Sequence, residues 1–210
     1  SLKKQEGTYT DINFNYTLDY DLRNQRYQTS DGFRNYFSQQ LPVVSETYEI
    51  GHTFQSSVYQ KLSPSSNMIG RAIFYASSIN TLSDKDVRIS KRLFIPPSKL
   101  RGFESGKVGP KDNEDFIGGN YITAVNLSST IPQVFPSLQN LDISVFFDAA
   151  NVWGVDYNSS LDDASKIRSS TGIAMDILTP IGPLNFSLSQ PITKSSTDRT
   201  ESFRFNLGTS

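Results

Sequence analysis

Few residues in this chain could do chemistry, and most sit in patterns that chemistry would not use. "GFESGKVG", Gly102 to Gly109, looks at first like a phosphate-binding loop. Such a loop needs G-x-x-x-x-G-K-[ST] between a strand and a helix. Here three residues separate Gly102 from Gly106, Val108 follows Lys107, and no helical period comes after. The acidic run Asp112, Asn113, Glu114, Asp115 lacks the ligand spacing and terminal Glu of a calcium hand and reads as a solvated loop. His52 is the single histidine and falls in the apolar register of its own strand, a poor place for the base of a triad. There is no cysteine, so disulfides and thiol catalysis are unavailable. Asn-x-Ser/Thr triplets at Asn15, Asn126 and Asn158 are expected by chance in a chain this rich in Asn and Ser. No catalytic set, metal site or cofactor site is expected, and no enzyme.

Arg101 is different. It lies between Leu100 and the pair Gly102-Phe103, in the longest segment without strand alternation, about residues 80–119. A loop of about 40 residues with no secondary structure is uncommon unless functional. Gly102 permits tight backbone geometry, and Phe103 gives the tip an apolar anchor. If the loop folds into a polar interior, its guanidinium needs a carboxylate, because an unpaired charge away from water is costly. Asp148, on the inward register of its strand, could accept it through two parallel hydrogen bonds. The same residues also fit an exposed Arg on a surface loop.

The elements that would position this pair are strands. From Thr8 to Asp21 the even positions read Thr, Thr, Ile, Phe, Tyr, Leu, Tyr, while the odd positions from Asp11 read Asp, Asn, Asn, Thr, Asp, Asp. Such period-two alternation recurs at about 33–43, 47–60, 67–79, 120–131, 139–153, 168–179, 183–191 and 201–210, separated by turn residues. In the segment after Asn140, Leu141, Ile143, Val145 and Phe147 share one face, and Asp142, Ser144, Phe146, Asp148 and Ala150 share the other. The fold class is all-β, in one domain of 210 residues, a length all-β domains often reach.

A soluble sandwich would alternate too. Three features favour a transmembrane antiparallel β-barrel. Many strands reach about ten residues, enough to cross a bilayer at a tilt. Aromatics sit near strand ends (Tyr20, Tyr48, Tyr121, Trp153), where interfacial girdles would lie. Connections alternate between short (61–67, 132–138, 180–182) and longer (80–119, 154–167, 192–200), with the pair 21–32 and 44–46 as an exception. The mean hydropathy of -0.40 fits a barrel with a polar inner face, and the net charge of -1 offers nothing to nucleic acid. A count of about nine strands is odd, where bacterial single-chain barrels are even. The sequence also begins without a leader, so the chain is expected to be a piece of something larger.

"LRGF" (Leu100, Arg101, Gly102, Phe103), then "GP" (Gly109-Pro110) and "GGN" (Gly118, Gly119, Asn120), resembles the signature loop of BamA-type outer-membrane protein assembly factors, the bacterial surface antigen family. The resemblance continues through "DYDLRNQRYQTSDGFRNYF", "VFFDAANVW", "SSTGIAMDILTPIGPLNFSLSQPI" and "ESFRFNLGTS", in order and spacing over nearly the whole chain. It implies a barrel of about sixteen strands, of which this chain is the C-terminal portion, roughly the last nine. Early strands and periplasmic POTRA repeats would lie outside it.

In that family the long loop returns to the lumen, and its Arg pairs with an acid at the position of Asp148. A second acid is common on the preceding strand, where Ser128 stands here. The last strand resembles an outer-membrane targeting signal through Phe203, Phe205 and Leu207, although it stops at Ser210 rather than Phe or Trp. Gly208 matches the kink where the last strand peels from the first at a lateral gate.

The implied function is folding and insertion of β-barrel proteins into the bacterial outer membrane. It implies unfolded outer-membrane proteins as clients, accessory assembly lipoproteins as partners, and outer-membrane lipid around an integral barrel of the Gram-negative type. A related translocation or assembly barrel (TamA-like, or a two-partner secretion transporter) and a passive porin-like barrel are the alternatives.

Overall fold

The computed structural model describes residues 10–65, 67–131, 134, 137–138, 140–163, 165–180 and 182–207. The alternating segments form strands: β1 (Ile12–Asp21), β2 (Gly32–Val44), β3 (Glu49–Lys61), β4 (Ile69–Thr81), β5 (Lys111–Asp112), β6 (Asp115–Phe116), β7 (Tyr121–Thr130), β8 (Leu141–Trp153), β9 (Arg168–Thr179), β10 (Gly182–Thr193) and β11 (Phe203–Leu207). Nine of them make one sheet in the order β1-β2-β3-β4-β7-β8-β9-β10-β11, every pair antiparallel. The sheet is open, with β1 and β11 at its two edges. No α-helix occurs among the described residues.

The two faces differ as the alternation requires. On β8, Val145 and Phe147 are 45% and 39% exposed, while Phe146, Asp148 and Ala150 between and beside them are 3%, 0% and 3% exposed. Phe54, Phe74, Val125, Leu127, Ile173 and Leu188 continue the exposed apolar face across the sheet. A slip of one residue would turn every such side chain to the wrong face, so this pattern fixes the register. An apolar face running over many strands far exceeds what a protein leaves against water, and lipid is the medium it suits. Tyr121 and Trp153 stand opposite each other and stack with centroids 5.7 Å apart at the end of β7 and β8, a fragment of an interfacial girdle.

Antiparallel order sorts the connections. The connections that follow β1, β3, β7 and β9 leave the sheet at one end, the turn end. The connections that follow β2, β4, β8 and β10 leave it at the other, the loop end, and the one after β4 is the 82–120 loop. The 22–31 connection, long for its end, is folded on itself. The Asn24 side-chain oxygen accepts from the amides of Ser30 and Asp31 at 3.1 and 3.3 Å, and its amide donates to Ser30 Oγ at 2.8 Å.

The main apolar core lies between the 82–120 loop and the inner face of the sheet. Ile95, Leu100, Phe103 and Val108 of the loop pack on Ile122 and Ala124 of β7 and Ala150 and Val152 of β8. The loop is more ordered than the absence of alternation predicts. It carries the β5–β6 hairpin, turned at Asn113 with φ 56°, and single 3-10 turns at Ile89–Lys91 and Pro97–Lys99. Asn113 tolerates the left-handed region, and Pro96 and Pro97 pre-set the second 3-10 turn, so these elements need no hydrophobic period to form.

Candidate functional site

Leu100 and Phe103, each 2% exposed, are the anchors that fasten the loop tip to the sheet. Between them the chain must reverse within two residues. Gly102 does this at φ +89°, and a Cβ there would stand 3.1 Å from Ser189 Cβ and 3.3 Å from Ser170 Cβ. Only glycine meets both the dihedral and the approach. Ser170 Oγ donates to the Arg101 carbonyl at 2.5 Å and holds the turn from below.

This turn aims Arg101 at β8. Its Nε donates to Asp148 Oδ2 and its Nη2 to Oδ1, both at 2.8 Å, and its own backbone N–H reaches Oδ2 at 3.1 Å. Asn126, directly across from Asp148 on β7, donates to Oδ1 at 2.8 Å and to the Lys99 carbonyl at 2.9 Å. Four donors thus saturate a carboxylate that is fully buried. The guanidinium carbon lies 3.5 Å from the centroid of the Phe146 ring, a cation–π contact in a desolvated place.

Ser128 is opposite Phe146 in the register and lines a small cavity with Arg71, Asn126 and Ser144. Ser128 is neutral, and the contact that accompanies Asp148 at the guanidinium is the uncharged π face of Phe146. The sequence placed Phe146 on the face of Asp148 and offered Asn126 only as a chance Asn-x-Ser/Thr triplet, and neither was given a role beside Arg101. Both stand on the inward register beside Asp148, which is the signal that could have found them.

Lys99, the residue before Leu100, is 7% exposed, with Nζ 5.6 Å from the centroid of the Tyr75 ring. Burial pushes its pKa down to about 8, and the nearby Arg71 adds to the effect.

The junction residues close the loop at its far end. Gly118 has φ +66°, and Cβ atoms at Gly118 and Gly119 would fall 2.5 Å from the Leu93 carbonyl oxygen and 2.3 Å from that of Trp153. Gly119 exchanges backbone hydrogen bonds with Leu93 at 2.8 and 2.9 Å. Asn120 donates to Asp156 at 3.0 Å and accepts from Arg92 Nη1 at 3.1 Å. Arg92 also donates to Asp156 and to the carbonyls of Gly154 and Val87.

Two more guanidinium nodes tie the loop end together. Arg88 Nε donates to Glu49 Oε1 at 3.0 Å and its Nη2 to Asp11 Oδ2 at 2.5 Å. Arg168 Nε donates to Asp198 Oδ2 at 2.9 Å and its Nη2 to Asp163. The hydrogen bond from Arg88 holds the Asp11 carboxyl down at about 2.

Phe203, Phe205 and Leu207 of β11 are 56%, 51% and 64% exposed on the outer face, and the outer edge of β11 has no strand partner among the described residues. Gly208 lies outside the described residues.

The Omp85 superfamily domain matches residues 1–210. The outer membrane protein assembly factor BamA of Neorickettsia risticii is 25% identical over 138 residues, 64% of this chain and 18% of that protein. The sorting assembly machinery 50 kDa subunit of Saccharomyces cerevisiae is 32% identical over 120 residues, 53% of this chain and 25% of that protein. The chain therefore spans about a quarter or less of these relatives. The crystal structure of BamA from Haemophilus ducreyi lacking POTRA domains 1-3 superposes with a TM-score of 0.85 at 27% identity, covering 94% of this chain and 42% of that one.

Proposed function

The chain belongs to the Omp85 superfamily, and from that premise we propose that it is the C-terminal part of the barrel of an outer-membrane protein assembly factor. Its task is to fold and insert other β-barrel proteins. The observation that carries this reading is the joint match of family and fold: the Omp85 superfamily domain covers residues 1–210, and the sheet superposes on the solved BamA barrel with a TM-score of 0.85. Within the described residues, β11 pairs with β10 over Phe203 to Leu207. A passive pore needs a fully paired seam, because each unsatisfied backbone group facing lipid costs several kcal/mol. In an assembly factor the terminal edge serves a different purpose. It offers N–H and C=O groups to which an incoming strand can add by β-augmentation, so the client enters lipid with its backbone already paired. No bond is made or broken, and the work is templating.

In this account about sixteen strands complete the barrel in the whole protein, and the 82–120 loop lies in its lumen. Arg101 and Asp148 brace the wall beside the seam. The bacterial relative named above and the solved barrel favour the Gram-negative outer membrane, with unfolded outer-membrane proteins as clients and assembly lipoproteins as partners.

The test is reconstitution of the full-length protein in liposomes with an unfolded outer-membrane barrel as client. Folding is followed by the client's heat-modifiable electrophoretic mobility. The expected result is accelerated client folding that falls several-fold with Arg101→Ala or Asp148→Ala. Steady ion conductance without any acceleration would favour the porin-like reading instead.

A further inference from the structure

The hairpin from β10 to β11 does not close upon itself. Leu184 to Leu188 of β10 pair with Leu207 to Phe203, and Ser189 adds one bond to the Ser202 carbonyl at 2.8 Å. Beyond that point the chain leaves β10 and pairs with the inward loop. Glu201 N–H donates to the Gly102 carbonyl at 3.1 Å, and Glu104 N–H to the Arg199 carbonyl at 3.0 Å, around an antiparallel bridge between Phe103 and Thr200. Arg199 N–H then reaches the Lys107 carbonyl at 3.0 Å. The segment leading into the terminal strand is thus held by the loop and not by its own hairpin partner.

Arg204 locks this arrangement. It sits between the outward Phe203 and Phe205, so its side chain turns inward. Its Nη1 donates to the Pro97 carbonyl at 2.6 Å and its Nη2 to the Phe103 carbonyl at 2.5 Å. Those two carbonyls bracket the turn that carries Arg101, so one side chain of the edge strand grips both ends of the motif. Its side chain is 9% exposed and also pairs with Glu201.

We infer that Arg204 is a positioning residue that latches the terminal strand to the inward loop, so that the edge offered to a client is set by the seating of the loop. This rests on the assembly-factor reading for its purpose, but not for its existence. While the loop is seated, residues 199–201 stay off β10, and contact with β10 begins where Ser202 meets Ser189. Release of Arg204 would free those residues to pair along β10, lengthening β11 and shifting the edge it offers.

The chain has no cysteine, which makes a direct test simple. In the full-length protein, with cysteines elsewhere replaced, Glu104→Cys and Arg199→Cys place thiols opposite each other just beyond the Phe103–Thr200 bridge. The oxidation rate of this pair reads the coupling, and client folding in liposomes reads its use. Arg204→Ala is expected to slow both on the order of tenfold, the loss expected for hydrogen bonds from a charged donor. Arg204→Lys, a point charge able to reach one carbonyl at a time, should fall between and keeps the barrel's charge. Oxidising the pair should restore client folding to Arg204→Ala, and a reductant should remove the rescue. Unchanged oxidation in Arg204→Ala would overturn the latch, as would slower client folding that the closed disulfide does not rescue. Slower oxidation with unchanged client folding would uphold the latch and sink the templating reading.

Discussion

Arg101 and Arg204 hold the same loop with the same functional group and different partners. Arg101 faces a carboxylate that is fully buried and saturated by four donors. Arg204 faces two main-chain carbonyls at the rim of the sheet and a half-buried Glu201. Pulling Arg101 away would strand a charge in a dry place, whereas release of Arg204 leaves two neutral carbonyls, of which that of the exposed Pro97 can turn to water. One contact suits a permanent brace and the other a joint that can be undone. The difference places the rigidity at β8 and the adjustability at β11.

Several changes would break or sharpen that comparison. The largest effect is expected from Arg101→Ala in the full-length protein, about 3–5 kcal/mol of lost stability because a buried partner is left unpaired. Arg204→Ala should cost less, about 1.5–3 kcal/mol. Denaturant midpoints of the two variants measured side by side would show it, and equal costs would abolish the distinction. Gly102→Ala forces a left-handed dihedral and a contact with Ser189, for about 1–3 kcal/mol. It should also expose the 82–120 loop to protease. Asn126→Ala removes one donor from Asp148 and one from the Lys99 carbonyl, for about 1–3 kcal/mol by the same midpoints.

The smallest effects are those of pH. Lys99 titrates near 8 when folded against 10.5 when free, so the unfolded chain holds more protons in that interval and stability should rise as pH goes from 8 toward 10.5. Lys99→Met should abolish the rise. Asp11 acts with the same sign at the acid end, where stability also rises with pH. Its support, through Arg88, is complete above about its ordinary pKa of 3.8 and is lost as pH falls through 2, a loss absent in Asp11→Asn.

Much of the barrel wall was legible because alternation reports which face is which. The segments read at 120–131, 139–153 and 168–179 are strands at Tyr121–Thr130, Leu141–Trp153 and Arg168–Thr179. The same parity brings Asp148 under Arg101, since inward residues of β8 are the ones a loop on that face can touch. Arg88, Arg92 and Arg168 were not legible. Their carboxylates sit at connections or strand ends, where no period relates one residue to another, and only the folded chain brings Arg88 to Asp11 across 77 positions. Arg204 lay between. A lone cation on the inward register between two outward aromatics marks a side chain that needs a partner inside, but nothing in the spacing says that the partner is a carbonyl of the loop.

The central claim is that seating of the loop and seating of the terminal strand are one event. Hydrogen–deuterium exchange on the full-length protein in membranes tests it most directly, comparing the unaltered protein with Arg101→Ala. The account expects amides of 100–104 and of 199–204 to lose protection together and by similar factors. Lost protection in the loop, with 199–204 unchanged, would contradict it.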